Sequence, residues 1–289
     1  MSKPRCGIIQ FPGSNCELET QYAFQFFGWD AMIFRWNTPL DVLSKMDAYV
    51  LPGGFSYQDR VRAGAIAAKM EIMELLIDAD KWGKPILGIC NGCQILAEAG
   101  VIPNTKGEYE LEAALAPNTR GKEPIGFICD WVWVTFKNTQ KSLFTTLFNE
   151  GDALPIPINH GEGRFLLKKS ILDSIESYSQ IQFCTSKAEV LPSFPVNPNG
   201  SMLNLAGFSN KKGNVLAIMP HPERACFLKQ IPFWIPDPLA DEKREHFKKG
   251  EDGVTPWKNL FIGMREYALE NREQWARNTF HVISRGGSL

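Results

Sequence analysis

A tight turn between a strand and a helix is the feature that most constrains this chain. Residues 88–92 read Gly-Ile-Cys-Asn-Gly, after an apolar run at 85–87 and before residues 94–99, whose composition favours a helix. A strand that passes through Gly-x-Cys-x-Gly into a helix is the cysteine form of the nucleophile elbow. The glycines permit a turn so tight that the central residue is forced towards strained backbone angles. The pattern predicts that Cys90 lies at the edge of a sheet, above the start of a helix.

This position gives Cys90 a chemical role. A helix N-terminus favours a thiolate, and its free N–H groups can hold the oxyanion of a tetrahedral intermediate. We therefore predict that Cys90 is a nucleophile and that the N–H of Asn91 belongs to an oxyanion hole. An ordinary turn with a buried thiol is the alternative, because short motifs also arise by chance. A redox pair of Cys90 with Cys93 is a further reading, although thioredoxin-like sites lack a glycine elbow.

A general base is sought among only four histidines. His246 and His281 lie in charged or tail-like surroundings, whereas His221 follows the apolar run at 215–219 and has a proline on either side. Proline disfavours helix at the residue before it, and in extended chain residues i and i+2 point the same way. We predict that Glu223 orients the His221 imidazole and that this ring serves Cys90 as the base. The alternative is a strand-end histidine capped by its neighbour.

A second glycine pair follows another short β-type run. Residues 47–51 end in Pro52, Gly53 and Gly54. Adjacent glycines can turn backbone N–H groups outward, so the N–H of Gly54 is predicted to complete the oxyanion hole with that of Asn91. Read in isolation, an ordinary turn explains these glycines equally well.

Composition excludes several classes of function. A net charge of −1 gives no overall positive field for nucleic acid or an anionic membrane. The seven scattered cysteines suit a reducing compartment, and none pairs with a histidine at metal-ligand spacing, so we expect no metal site. We expect no signal peptide, and no apolar run approaches the ~20 residues that span a bilayer. We expect a soluble cytoplasmic protein.

The order of elements predicts an α/β fold. The first hundred residues alternate strands with helices, and the predicted strands lie at 6–11, 31–34, 48–51 and 86–89. The predicted helices lie at 17–27, at 60–78 and after the elbow. Such alternation predicts a three-layer, mostly parallel open sheet with helices on both faces and its chemistry at the carboxyl ends of the strands.

The second half has a more antiparallel pattern. Predicted strands lie at 127–134, 154–165 and 181–184, and 203–208 pairs with 214–219 as a hairpin. Residues 226–256 then form an excursion before a last helix, which Thr255 and Pro256 begin and whose apolar stripe from Trp257 to Ala268 faces the core. We predict a single domain over 1–280 and a disordered tail over 281–289.

Six segments together carry a family resemblance. They are residues 11–16, 51–57, 88–92, 160–164, 197–201 and 219–224. With these in order, the chain resembles the triad-type (class I) glutamine amidotransferases, whose glutaminase fold is flavodoxin-like. Within that family it is most similar to the glutaminase subunits of phosphoribosylformylglycinamidine synthase.

The resemblance implies a reaction. Cys90 would attack the side-chain amide of L-glutamine, His221 would pass a proton to the departing ammonia, and water would release glutamate. Gln94, Gly53 and His160 would lie at the substrate pocket. His160 is also a competing candidate for the base, but the glycines after it favour a loop rather than a strand end. Glu162 and Arg164, in the same loop, receive no fixed role.

The resemblance also implies partners. Ammonia would pass to a synthetase subunit that uses ATP and Mg²⁺ to convert formylglycinamide ribonucleotide to formylglycinamidine ribonucleotide in purine biosynthesis, with a small bridging subunit in the complex. This chain would need no cofactor, and it has no phosphate loop of the Gly-x-x-x-x-Gly-Lys type. Subunits of this kind commonly depend on their synthetase, so weak activity is expected alone.

Two departures and several alternatives accompany this interpretation. Gln58 stands where the subfamily usually has glycine, and the segment from about 225 to 256 is longer than in compact members. Related glutaminases serve pyridoxal phosphate, GMP or CTP synthesis. A non-catalytic scaffold can retain the fold, and a thiol protease or esterase can use the same triad, because neither fold nor triad names a substrate.

Overall fold

The computed structural model describes residues 2–235, 239–249 and 253–282. The strands are β1 (Arg5–Gln10), β2 (Asp30–Arg35), β3 (Ala48–Leu51), β4 (Ile86–Ile89), β5 (Ala113–Ala116), β6 (Thr119–Arg120), β7 (Glu123–Pro124), β8 (Ile128–Lys137), β9 (Ala153–His160), β10 (Arg164–Leu167), β11 (Gln180–Cys184), β12 (Leu205–Ser209) and β13 (Val215–Ile218). The α-helices are α1 (Glu17–Phe26), α2 (Leu40–Leu43), α3 (Ile72–Lys81), α4 (Asn91–Glu98), α5 (Leu172–Ile175), α6 (Leu239–Lys249) and α7 (Lys258–Val282). Within these ranges, no helix combines the length and apolar character that crossing a membrane requires.

Nine strands form one central sheet in the order β2-β1-β3-β4-β13-β12-β11-β8-β9. Neighbours from β2 to β13 are parallel, and those from β13 to β9 are antiparallel. All four residues of β4 and of β13 are buried, as expected for strands covered on both faces. The predicted α/β class, with antiparallel additions in the second half, is confirmed.

The last helix completes the core. Thr255 Oγ1 accepts a hydrogen bond from the N–H of Trp257 at 3.2 Å just before α7, so the predicted start is close to the observed one. The predicted apolar stripe is buried throughout and comprises Trp257, Leu260, Phe261, Met264 and Ala268. Trp29, three residues after α1, donates through Nε1 to the carbonyl oxygen of Phe261 at 3.1 Å. The prediction of a core-facing stripe is therefore confirmed.

The predicted long helix at 60–78 is wrong. Val61 and Gly64 have φ of 72° and +79°, which an α-helix cannot accommodate. A short 3₁₀ turn follows at Ala67–Lys69, Met70 is extended, and only then does α3 begin. A Cβ at Gly64 would lie 2.7 Å from the backbone nitrogen of Ile95, so the segment is bent closely around the elbow helix. This tertiary contact overrides the helical composition.

The start of the excursion at 226–256 packs on this chain's own α1. The Phe227 ring lies 5.4 Å from Tyr22, 4.9 Å from Phe26 and 5.9 Å from Phe27, between ring centroids. Phe227 also forms a single β-bridge with Val254, which closes the excursion at its base. Residues 236–238 and 250–252 lie outside the described residues, as do 283–289 of the predicted tail. Residues 281 and 282 belong to α7.

The strand at one end of the sheet, β9, carries prolines at 155 and 157. Proline has no N–H, which makes the strand a poor template for a further strand. The carbonyl oxygens remain in use. That of Pro155 accepts from Trp257 Nε1 at 2.9 Å, and that of Pro157 accepts from the N–H of His221 at 2.9 Å. The edge strand therefore lies against both α7 and the exit of β13.

We predict that Gly92→Ala lowers the free energy of unfolding by about 2 kcal/mol, the range typical of overpacking. A Cβ at Gly92 would overlap the carbonyl oxygen of Leu51, since α4 lies directly against the end of β3. Alanine in a helix interior normally stabilises, which makes a loss diagnostic. Urea denaturation measures the effect.

Gly161→Ala is the matched control, because its Cβ would meet only the Phe127 ring, at an ordinary 3.6 Å. Equal stability of the two variants would contradict the close approach of α4 to β3.

Candidate active site

The elbow has the predicted strained geometry. Cys90 joins β4 to α4 with φ 51° and ψ −103°, in a region that residues with a side chain seldom adopt. Its N–H donates to the carbonyl oxygen of Ile218 at 2.8 Å, which ties the turn to β13. A Cβ at Gly88 would lie 2.7 Å from the carbonyl oxygen of Gly92, so the two flanking glycines are in direct contact. The predicted turn is confirmed, and glycine is required at both positions.

The Cys90 thiol is enclosed but faces polar groups. The residue is 5% exposed, and its Sγ lies 3.6 Å from the carbonyl oxygen of Asn159 on the edge strand β9. The N–H of Asn91 is the first of α4 and has no acceptor within the helix. The sulfur therefore lies among the donors of a helix N-terminus, the setting that the sequence predicts.

The predicted contact between His221 and Glu223 is confirmed. His221 Nδ1 lies 2.6 Å from Glu223 Oε1, and both side chains are fully buried. His221 itself is extended, but Pro222–Arg224 form a 3₁₀ turn. The carboxylate therefore reaches the ring through this turn, rather than by sharing one face of an extended strand. Pro222 explains the difference, because its fixed φ suits the first position of a helical turn.

Burial and the groups around the ring act in opposite directions on the protonation of His221. Burial is the largest single influence and lowers the pKa of the ring. The negative charges of Glu223 and Cys90 and hydrogen bonding with the thiols of Cys16 and Cys90 act together in the opposite direction and raise that pKa well above its usual value. Nε2 makes no hydrogen bond of ordinary geometry, although both sulfurs are near enough to affect it. The ring is thus suited to form an imidazolium beside a thiolate.

The glycine pair after β3 lies beside the His221 ring. A Cβ at Gly53 would lie 2.8 Å from His221 Cε1 and 2.9 Å from Cys16 Sγ, so only glycine fits beside the ring. Gly54 has φ +145° and pairs with Ser14 in a single β-bridge. The bonds of that bridge run from Asn15 N to Gly53 O and from Phe55 N to Gly13 O. The N–H of Gly54 is not used in it.

Gln94 fastens two loops to the elbow helix. Its Oε1 accepts from Asn91 Nδ2 at 2.9 Å, and its Nε2 donates to the carbonyl oxygen of Glu162 at 2.7 Å. Asn91 Oδ1 in turn accepts from the N–H of Ser56 at 3.1 Å. The loop after Gly54 and the loop after His160 are therefore held against the start of α4. Direct contact of Gln94 with a substrate stays a prediction.

His160 is the last residue of β9, so the expectation that it lacks a strand-end setting is wrong. The glycines at 161 and 163 begin the loop only after it. The ring is 2% exposed, and neither nitrogen has a hydrogen-bond partner in the described structure. Burial, with a smaller contribution from the positive charge of His221, lowers the pKa of His160 to about 3. His160 is therefore neutral at pH 7, and its predicted role in substrate binding stays a prediction.

The site contains two residues that the sequence reasoning did not single out. Cys16 Sγ accepts from Arg224 Nη2 at 3.0 Å, and the same nitrogen pairs with Glu19 Oε1 at 2.7 Å. Burial raises the pKa of the Cys16 thiol, although His221 and Arg224 partly oppose this. A signal was present, because Cys16 ends one of the six family segments and Arg224 directly follows Glu223.

The same cluster has the spacing of a metal site. One ligand atom each from Cys16, His221 and Glu223 lie within 4.8 Å of one another, and within the described ranges this is the group with such spacing. The Arg224 guanidinium, 3.0 Å from the sulfur, opposes a second cation there. Glu223 already occupies Nδ1 of the ring. The arrangement fits an acid–base role better than metal binding.

The loop after Gly54 explains one departure from the family pattern. Tyr57, Gln58, Asp59 and Val61 have φ between 52° and 72°. Gln58 therefore occupies the left-handed region, in which glycine is favoured. Burial, with a smaller effect of the nearby Glu162 charge, raises the pKa of Asp59 to about 6. The chain keeps the loop conformation without the glycine.

Comparison with known proteins identifies the family. The model of the CobB/CobQ-like glutamine amidotransferase domain matches residues 3–268. The chain belongs to this family. A relative from Methanothrix thermoacetophila, named phosphoribosylformylglycinamidine synthase subunit PurQ, is 42% identical over 93% of this chain and 99% of its own length. A relative of the same name from Chlorobium chlorochromatii is 42% identical over 78% of this chain and 90% of its own.

A solved structure agrees. A chain of the PurLQS structure from Thermotoga maritima is 30% identical, with a TM-score of 0.66 over 92% of this chain and 99% of that one. The glutamine amidotransferase family predicted from six segments is thus confirmed over most of the chain.

We predict that His160→Phe makes stability less dependent on pH between about 6.5 and 3. Below pH 6.5 the unfolded state binds a proton at this histidine that the folded state refuses, so stability falls as pH falls. As pH falls across this window, the free energy of unfolding of the variant should decrease by about 1.4 kcal/mol less per pH unit than that of the parent.

Denaturation at pH 7.5, 5.5 and 4.5 measures the slope. The difference in the free energy of unfolding between the two proteins at pH 7.5 reports packing alone, because His160 is neutral there in both the folded and the unfolded state. Identical slopes for the two proteins would show that His160 titrates normally.

We predict that Gln58→Gly raises the free energy of unfolding by about 0.5–1 kcal/mol, because it relieves the left-handed conformation. Arg60→Gly is the matched control in the same exposed loop, since Arg60 has φ −59°. That change should destabilise, because glycine only adds freedom to the unfolded chain there. A loss of stability in both variants would refute the strain at position 58.

Proposed function

We propose that this chain is the glutaminase subunit of a phosphoribosylformylglycinamidine synthase. The observation that carries the proposal is the buried Cys90–His221–Glu223 set at a glycine elbow, with the 2.6 Å contact between ring and carboxylate. It is supported by the two relatives of that name, which match most of this chain. The chain hydrolyses L-glutamine and supplies ammonia to a synthetase.

The first half of the reaction uses Cys90 as nucleophile. Its thiolate, favoured by the His221 imidazolium and the start of α4, attacks the side-chain carbonyl carbon of glutamine. The N–H groups of Gly54 and Asn91 hold the oxyanion that forms. As the tetrahedral intermediate collapses, the imidazolium gives its proton to the departing nitrogen, and ammonia leaves. A glutamyl thioester remains on Cys90.

The second half reverses the proton transfer. His221, now neutral, removes a proton from a water molecule, whose oxygen attacks the thioester carbon. The carbon–sulfur bond breaks, glutamate is released, and the thiolate–imidazolium pair is restored. Glu223 holds Nδ1 throughout, so that Nε2 always faces the reacting atoms. Gly53, Gln94 and His160 form the surroundings of the glutamine side chain.

The ammonia passes to a partner. A synthetase subunit, together with a small bridging subunit, uses ATP and Mg²⁺ to convert formylglycinamide ribonucleotide to formylglycinamidine ribonucleotide. This chain needs no cofactor for its own step. The complex acts in the cytoplasm, and isolated glutaminase is weakly active. Support for a complex comes from the PurLQS structure that this chain resembles.

We predict that Cys90→Ala lowers the rate of glutamate release by at least about 10³-fold, because it removes the nucleophile. The assay contains the synthetase and bridging subunits, ATP, Mg²⁺ and formylglycinamide ribonucleotide. Cys93→Ala is the matched control, a fully buried thiol three residues further along α4, and it should keep activity within about threefold.

The partner is tested in the same assay. Glutamate release should rise when the synthetase and its substrate are added together. A folded protein that releases glutamate equally with and without them serves another acceptor, such as a system for pyridoxal phosphate, GMP or CTP. A folded protein without Cys90-dependent release in any mixture is a scaffold rather than an enzyme.

A further inference from the structure

Cys16 lies beside the base, on the segment that leads into α1. Its backbone is fixed on both sides, because its N–H donates to the carbonyl oxygen of Gly53 at 3.2 Å and its own carbonyl oxygen accepts from Thr20 Oγ1 at 2.6 Å. The residue is 1% exposed. A ring nitrogen of His221 lies within 4.8 Å of its sulfur, and hydrogen bonding between the two groups affects the protonation of both.

The sulfur of Cys16 is arranged as an acceptor. Its S–H donates to Asn15 Oδ1 at 3.1 Å, which leaves the lone pairs for other donors. Arg224 Nη2 donates to them at 3.0 Å. Arg224 is itself held by Glu19 Oε1, to which Nε and Nη2 donate at 3.1 and 2.7 Å. The ion pair between Arg224 and Glu19 of α1 thus fixes the position of the sulfur beside the ring.

Space around the ring is limited on the side of Cys16. Any Cβ at Gly53 would touch both His221 Cε1 and the Cys16 sulfur, so both groups pack against the same face of this glycine. Removal of the sulfur would leave a void between the ring and the guanidinium of Arg224. The imidazole would then be held only by its bond to Glu223.

The position of Cys16 beside the His221 ring matters once Cys90 is acylated. Before acylation, the Cys90 thiolate attracts the protonated Nε2 of His221. Once Cys90 carries the glutamyl group, its sulfur is neutral and no longer holds the ring. The ring has given its proton to ammonia and is neutral at this stage, and it is protonated again when it takes a proton from water. Cys16 is then the sulfur beside the ring that can still accept a hydrogen bond from the imidazolium, and hydrolysis of the thioester requires the ring to stay in place.

We propose that Cys16, held by Arg224, is a positioning residue that keeps the His221 ring in place while Cys90 is acylated. The inference rests on the glutaminase function proposed above. It assigns to the segment before α1 a role in the hydrolytic half-reaction, whereas the attack on glutamine does not depend on this segment.

The test compares Cys16→Ala with Cys16→Ser in the complete complex. Loss of the sulfur should lower kcat for glutamate release about tenfold, and KM for glutamine should fall by a similar factor, because hydrolysis slows and acylation does not. Mass spectrometry of the quenched steady state should show glutamyl-enzyme accumulating on Cys90. Serine retains an acceptor and should restore kcat to within about threefold.

Cys6→Ala is the matched control for lost volume. Cys6 is a fully buried thiol on β1, and its truncation should leave kcat, KM and the level of glutamyl-enzyme unchanged. If Cys16→Ala lowers kcat and kcat/KM equally without accumulation of glutamyl-enzyme, or changes neither, the positioning role is wrong.

A measurement without turnover separates this proposal from the proposed function. Cys90 is alkylated with a glutamine-like chloroketone to reproduce the acylated state, and the pKa of His221 is followed by NMR of the histidine ring. The groups that face or influence this ring are Cys16, Cys90, His160, Glu223 and Arg224.

In the alkylated protein, Cys16→Ala should lower the pKa of His221 relative to the parent, because the sulfur beside the ring that favours the imidazolium is lost. An unchanged pKa would overturn the proposal even if the enzyme is fully active. A lowered pKa would sustain the contact even if glutaminase activity is absent.

Discussion

The close approach of α4 to the ends of β3 and β4 is the constraint on which the rest of the site depends. It exists only because Gly88 and Gly92 touch each other and Gly92 lies against the backbone of Leu51. Because that spacing is fixed, Cys90 adopts a positive φ, and its sulfur lies at the start of the helix. The strain is local, and it is held by buried strands on both sides, which cannot move apart without opening the core.

Side-chain amides then join the loops to this rigid turn. Asn91 and Gln94, both on the first turn of α4, bond to Ser56 and Glu162. The glycine pair after β3 and the loop after His160 are thus held by the same helix that follows Cys90. His221 is positioned separately, by Glu223 at Nδ1, and it lies beside Cys16 on the segment before α1. The site therefore consists of two halves, one attached to α4 and one to α1 and β13.

The sequence was sufficient for the parts of this arrangement that depend on local backbone chemistry. The limits of β4 were predicted to the residue, and the elbow and the pairing of His221 with Glu223 were recognised, because glycine and proline restrict the chain at those positions. The break in the 60–78 segment was missed, since it comes from packing of Gly64 against α4, which composition does not reveal. Cys16 was missed because its partner Arg224 is 208 residues away. The single domain over 1–280 and the roles of the site residues stay predictions.

The edge strand β9 has a consequence for the distance between Cys90 and His221. Its alternate carbonyl groups at 155, 157 and 159 face outward, to Trp257, to the N–H of His221 and to the sulfur of Cys90. Successive groups on one side of a strand are about 6.6–6.8 Å apart. Contacts two residues apart along this strand therefore set the relative positions of α7, His221 and Cys90. An insertion of one residue in this strand would turn the carbonyl groups that follow it to the other side and separate the two halves of the site.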